Sequence, residues 1–390
     1  EAIGGVVNII LRKNFDGVAV SAGMTRVSLP LEGGDRYEAN AVMGMTGEKG
    51  RFLIGANTTD REIIFQRDAY GTVGGRGASS YSNNLFASPG LGGFIGAVPG
   101  GCTNANFYIG GGRCRYDFAV VAADEAALNT KSVFGRGEYN INADWTAYMT
   151  TQVNKAESFG RYAPVPGEVV IEPGSPAHPW HPAFPDPSYR DRVAADQTIF
   201  LGHRFAAGGN RDTTTDSQLF DTMFGFKGRA WGADWDFGLR KSTSKYLEIG
   251  RGFVIETLAR QAIFDGTYDV FNPAGSDPLV IASFTHTTNR EGKYDQTEQY
   301  ANGTFDVFQM SGGTARLFVG AEHRKEVYSD IYDSLSEGGV VLGSEMSGMI
   351  ISSTAGMYPP SAISAGTLLL NGAATAAGPS ISGCRAVLPL

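Results

Sequence analysis

Three groups of residues have types and spacings suited to chemistry. His178 and His181 lie in "AHPWHPAFPDP" with Asp186 close behind. Two imidazoles and a carboxylate are the right ligand types for a metal, but the interleaved prolines read better as a stiffened loop. Cys102 and Cys114 bracket "CTNANFYIGGGRC", and Cys384 stands alone near the end. The close pair reads as a disulfide staple, and so as an oxidising compartment; the other reading is two separate buried thiols. Gly71, Gly74, Gly75 and Gly77 crowd "GTVGGRG", but no helix follows to make a phosphate cradle. GxxxxGK[ST], HExxH, CxxC and GxSxG are all missing. No catalytic residue, metal site or cofactor is therefore assigned, and the chain is not read as an enzyme.

What remains is recognition chemistry. Arg161, Arg190 and Arg192 are suited to gripping carboxylates or phosphates. Tyr162 and Trp180, with Phe184 and Tyr189, are suited to stacking on sugars or other flat ligands. Arg161, Tyr162, Trp180, Arg190 and Arg192 are ligand-binding candidates by their place in a long loop alone. Solvated loop residues are the plain reading for most of them.

The elements that hold these loops alternate with period two. Val18, Val20, Ala22 and Met24 interleave with Ala19, Ser21 and Gly23; Phe52, Ile54 and Ala56 follow the turn "TGEKG". Val133, Tyr139 and Ile141 oppose Arg136, Glu138 and Asn140, and Trp145, Ala147, Met149 and Val153 oppose Thr146, Thr150 and Gln152. Phe220, Phe224 and Phe226 oppose Asp221 and Lys227, while Trp235, Phe237 and Leu239 oppose Asp236 and Arg240. Leu317, Val319 and Ala321 oppose Arg316 and Glu322. Turns near 47–50, 142–144, 229–233 and 310–313 are tight, whereas 61–128, 160–212 and 248–292 are long and rich in Gly, Pro, Ser and Asn. Short turns at one end and long loops at the other are the plan of an outer-membrane barrel. Aromatic pairs at strand ends, Trp145 with Tyr148 and Trp231 with Trp235, suit an interfacial girdle.

Composition is compatible with this plan. The chain has 390 residues, 53 of them Gly, which is roughly double ordinary usage. A net charge of −8 leaves no basic footprint for nucleic acid. No run of about 20 apolar residues offers a membrane helix. A mean hydropathy of −0.14 is bland, as alternating lipid-facing and lumen-facing residues make it.

The opening residues add a resemblance. Ala2-Ile3-Gly4-Gly5-Val6-Val7-Asn8-Ile9-Ile10, followed by Arg12-Lys13, resembles the end of the plug domain of TonB-dependent outer-membrane receptors. Ser132 to Pro164 and Phe318 to Asp330 resemble barrel segments of the same family, and the resemblance spans about residues 1–343. The plug-end motif Gly4, Gly5, Val6, Val7, Asn8, Ile9 and Ile10 suits a strand packed on both faces, where glycines permit close backbone approach.

The resemblance implies an all-β fold, an antiparallel transmembrane β-barrel. About nine strands are present of the 22 in plugged transporters, preceded by the last strand of a plug. Residues 1–16 are then the plug end, 17–343 the N-terminal part of the barrel with long extracellular loops, and 344–390 an atypical tail. The expectation is a fragment, because a plug and further strands are missing. The tail holds no charged residue from Met346 to Cys384; it is either a product of a frame change or a genuine loop. Implied with the fold are the bacterial outer membrane and active uptake of a scarce ligand such as a siderophore, cobalamin or an oligosaccharide. The implied partners are outer-membrane lipid, a TonB-type energy-coupling protein and the small-molecule or oligosaccharide ligand, with no nucleic acid. A passive porin-type barrel and a secreted β-sandwich binding protein are the rival readings.

Overall fold

Period-two alternation from Gly17 onward becomes one antiparallel wall. Its strands are β1 (Gly17–Thr25), β2 (Arg36–Gly47), β3 (Gly50–Arg61), β4 (Ala127–Asn140), β5 (Trp145–Tyr162), β6 (Arg211–Ala230), β7 (Ala233–Ile255), β8 (Thr285–Met310) and β9 (Gly313–Tyr332). Each bonds to the next in sequence, an up-and-down meander of nine strands, with the short strand Val341–Leu342 added beside β7. The computed structural model describes residues 15–28, 32–69, 77–103 and 105–343, and the backbone of a hairpin at Thr367–Leu370 and Ala373–Ala376. The motif Gly4 to Ile10, and Cys384, lie outside the described residues. Among the described residues no ladder joins β1 to β9, and no helix is long and apolar enough to cross a membrane.

The tight turns have local causes. Trp231 and Gly232 both take left-handed backbone, φ 53° and 75°, between the paired Ala230 and Ala233. Two such residues make the hairpin turn whose twist matches the strands. Asn142 Oδ1 accepts the N–H groups of Asp144 and Trp145 and so closes the β4–β5 turn.

Pairing register puts the alternation on two faces. One row runs Val20, Ala41, Ala56, Val133, Val153 and Phe220 across six strands. These belong to an outer face whose apolar side chains stand in the open, including Val20, Met149 and Phe224. Near the tight turns that face is aromatic: Trp145 lies against Phe237, Phe237 against Phe226, and Trp235 against Phe305. Tyr148 departs from the sequence reading that paired it with Trp145. An odd residue separation puts it on the inner face, where its hydroxyl donates to Asp236 at 2.6 Å and touches the Tyr300 hydroxyl. Gly225 and Gly238, paired in register, leave the room these rings occupy: a Cβ on Gly225 would lie 2.6 Å from the Tyr148 hydroxyl.

The inner face is polar. Glu138 is ringed by Arg51, Arg136 and Lys227, and Asp221 binds Arg240 at 2.9 Å. Such pairs satisfy buried lone pairs that an apolar packing layer would leave bare.

The outer apolar band has an edge, and the edge is oblique. Moving away from the tight turns, the first charged, amide or imidazole side chain on the outer face is Asp60 on β3, Lys155 on β5, Gln218 on β6, Lys241 on β7, Gln299 on β8 and His323 on β9. The register row through Asp60 reaches Ile331 on β9, so the edge descends about eight residues over six strand spacings. That is about 27 Å along the strands against about 29 Å across them, a tilt of roughly 40°.

Beyond the band the three long connections do not stay irregular. They share one hydrophobic core, a cap seated at the open end of the wall. A four-stranded sheet, ordered Pro166–Ile171, Ile199–Arg204, Asn84–Ser88 and Gly92–Ala97, carries Leu85, Val169 and Leu201 into it. Helices α1 (Glu256–Phe264) and α2 (Pro278–Phe284) add Ala259, Ile263 and Phe284.

Candidate ligand site where the cap meets the wall

A cavity of about 410 Å³, lined mostly by charged, amide and hydroxyl-bearing residues, opens at the inner face just below the cap. Tyr162 from the end of β5, Arg211 from the start of β6, Glu248 from β7, Arg290 from β8 and Tyr332 from the end of β9 line it. Register explains the convergence: Tyr162 pairs with Arg211, and Arg290 pairs with both Glu248 and Tyr332. All five therefore point to one face.

The two guanidinium groups are held differently. Arg290 binds Asp330 through two bonds of 3.0 Å and lies over the Tyr332 ring at 4.9 Å. Arg211 donates Nε–H to the Ala163 carbonyl at 2.9 Å and lies over Tyr162. Among the described residues Arg211 has no ion pair with a carboxylate. A half-desolvated arginine without a counter-ion attracts an anion, and flanking tyrosines add stacking surface.

One rim of the cavity is a strap. Asp333 accepts from the Ser336 and Asn289 N–H groups and meets His286 Nε2 at 2.9 Å, thereby capping the one-turn helix α3 (Ser334–Glu337). Burial pushes the Asp333 carboxyl up, but the bonds from Ser336, Asn289 and His286 outweigh it and hold it at about 2. The chain then runs to Gly343, against Arg211.

The structure distributes the loop candidates. Tyr162 lines the cavity. Its neighbour Arg161 points to the outer face, bonded twice to Asp212 at 2.7 Å. The other candidates lie within the cap. Trp180 donates its indole N–H to the Val193 carbonyl, Arg190 donates to Pro179, and Arg192 donates to Ile95 while covering Tyr189. Phe184 and Tyr189 are buried in the cap core. His178 is fully buried, its Nε2 at 2.9 Å from the Gln197 carbonyl and its Nδ1 accepting from the Trp180 N–H. Among the described residues no cluster of His, Cys, Asp and Glu converges as a metal would require. Cys102 and Cys114 are joined as a disulfide inside the cap. Gly77 spends its N–H on Asp117.

Arg211, Glu248, Arg290 and Tyr332 were missed from sequence because the strands run further than alternation suggests. The strand starts at Arg211 and Thr285 fall inside stretches that read as loops.

No family model matches the chain, and a search of curated proteins found no match. Among solved structures it is similar to the ferric-catecholate import receptor Fiu from E. coli K12 in its closed form, at 10% identity and a TM-score of 0.30 over 81% of this chain and 43% of that one. It is also similar to the ferric yersiniabactin uptake receptor FyuA from Yersinia pestis, at 9% identity and a TM-score of 0.32 over 80% and 38%. The siderophore receptor PiuA from Acinetobacter baumannii is a third, at 10% identity and a TM-score of 0.30 over 83% and 44%. The chain thus spans less than half the length of each receptor.

Proposed function

We propose that this chain forms barrel wall and outer cap of a TonB-dependent transporter in a bacterial outer membrane, and that its cavity receives an anionic small ligand. The oblique apolar band carries this reading. A band that crosses the register at roughly 40° fits strands tilted 35–45° through a flat membrane. Two shallow apolar grooves on the outer face, of about 540 and 640 Å³, fit acyl chains, the first within the band and the second reaching its edge at Gln299 and His323. A secreted β-sandwich gives no reason for that edge. The plug-end motif favours an actively coupled transporter over a passive porin, and coupling to a TonB-type protein follows from the same resemblance.

The ligand chemistry is drawn from the cavity: a carboxylate or phosphate at Arg211, and a flat or hydroxylated body between Tyr162 and Tyr332. Siderophores and acidic oligosaccharides both satisfy it. The test has two parts. Fractionation should put the protein in the outer membrane; recovery as a free periplasmic or secreted protein would end the reading. On a nutrient whose uptake needs the intact gene, Arg211→Gln should impair growth while surface levels stay unchanged. Unimpaired growth would remove the cavity from the reading and leave the transporter.

A further inference from the structure

Above the band the outer face of β7, β8 and β9 turns to lysine. Lys241 and Lys245 stand on β7, Lys293 on β8 and Lys325 on β9, all on the outer face. Lys245 and Lys293 are direct register partners, and Lys241 shares a row with Thr297 and Lys325. Like charges placed directly opposite on one face repel. Asp295 lies among them and is divided: Lys293 takes it at 2.7 Å and Lys241 at 3.3 Å, with Thr243 donating at 2.7 Å. Glu291 on β8 and Asp216 on β6, the latter held by Lys155, border the patch on the same face. Among the described residues neither Lys245 nor Lys325 has an ion pair. On the same face Thr243 and Thr297 stand between the lysines, and Gln218 and Ser329 flank the Lys245–Lys293 pair.

The position of this patch narrows its partner. Lys241 is the first charged side chain outside Leu239, and Gln299 and His323 follow Ala301 and Ala321. The patch thus begins where the apolar band ends, at the level of lipid headgroups. Soluble anions have no reason to be met there in particular. The lysines spread over two strand spacings and about four residues, roughly 10 Å by 13 Å, more than one phosphate spans.

We propose that this patch seats the headgroup of a membrane lipid carrying two phosphates, with its hydroxyls met by the interleaved threonines and the flanking serine and glutamine. The proposal rests on the membrane reading above.

The purified protein is reconstituted into phosphatidylcholine vesicles, plain or doped with bis-phosphorylated lipid A or with its dephosphorylated counterpart. Flotation reads insertion, and mass spectrometry reads the lipid retained after delipidation. Insertion into all three is expected, with the bis-phosphorylated lipid retained about tenfold over its counterpart. Lys241→Gln, Lys245→Gln, Lys293→Gln and Lys325→Gln together should abolish that preference, and the four arginine replacements should keep it. Lys155→Gln, on a lysine already bound by Glu157 and Asp216, should change nothing. Insertion without a phosphate preference, or a preference that survives the four glutamines, overturns the lipid seat and leaves the membrane reading intact. Failure to insert anywhere overturns the membrane reading and the seat with it.

Discussion

His203 donates Nδ1–H to Asn83 Oδ1 across 2.8 Å, and this direction is forced. The Asn83 amide nitrogen donates to the Gly101 and Val270 carbonyls, so its oxygen is left as the acceptor. A neutral imidazole with its proton on Nδ1 must accept at Nε2, where the Tyr268 hydroxyl stands at 2.8 Å. Asn83, His203 and Tyr268 come from the three long connections in turn, so this chain of two bonds ties all three loops into one cap.

A pH dependence follows from that tautomer. Burial first, and the nearby Arg204 charge second, push His203 from its ordinary 6.5 down to about 3. Between those values the unfolded chain binds a proton that the folded cap refuses. Stability is therefore complete above about pH 6.5 and is lost as pH falls toward about 3, at up to about 1.4 kcal/mol per unit. Denaturation followed by Trp180, the cap's tryptophan, should show this slope. His203→Gln can donate and accept in the same places but cannot titrate, and should flatten it. An unchanged slope in that variant would assign the effect elsewhere.

On the inner wall, Glu138 is 5% exposed and faces Arg51, Arg136 at 2.9 Å and Lys227 at 3.2 Å. Glu138→Gln keeps the shape and removes the negative charge, leaving three cations to repel one another. The expected cost is about 3–5 kcal/mol, read as a lower urea midpoint in micelles. Restoring balance with Lys227→Gln in the same chain should recover part of it. A single variant as stable as the parent would show that solvent already screens the cluster.

The wall was legible in the sequence because period-two alternation is local: each strand states its two faces in its own residues, and the tight turns fix register. Tyr148 shows where such reading slips, since proximity to Trp145 in sequence suggested a shared face that an odd separation forbids. The cap was illegible for a different reason. Its core pairs Leu85 with Leu201 and sets Phe284 against Phe205 and Tyr268, contacts set by chain closure over long distances, and no periodicity announces them. The cavity inherits both limits, for Arg211 and Arg290 sit on strand ends that only the folded cap extends.

The Cys102–Cys114 bridge closes a loop of separation 12. Removing it frees the unfolded chain by about 3 kcal/mol in the loop-entropy account. Its hairpin is held a second way, because Asn84 both accepts the Cys114 N–H and donates to the Cys114 carbonyl, each at 2.9 Å. Replacing both cysteines by serine should therefore loosen the hairpin Phe107–Tyr116 without dissolving the cap. Limited proteolysis should nick that segment first while the Trp180 signal persists; simultaneous loss of both would make the bridge the cap's main tie.

The band itself makes the sharpest prediction, because depth and exposure separate there. Phe224 and Gln218 lie on the same strand and the same outer face, and both are exposed. In water an arginine at either place would be tolerated to within about 0.5 kcal/mol. In a membrane Phe224 sits inside the band and Gln218 at its edge. Arginine should then cost about 2–4 kcal/mol at the first and about 0–1 at the second. Phe224 also packs on Phe226 with ring centres 5.0 Å apart, so Phe224→Leu serves as the control for the lost ring. Folding yield into vesicles, measured for Phe224→Arg, Phe224→Leu and Gln218→Arg, separates the terms. Equal losses for the two arginines would place both positions in water and dissolve the band as a membrane feature.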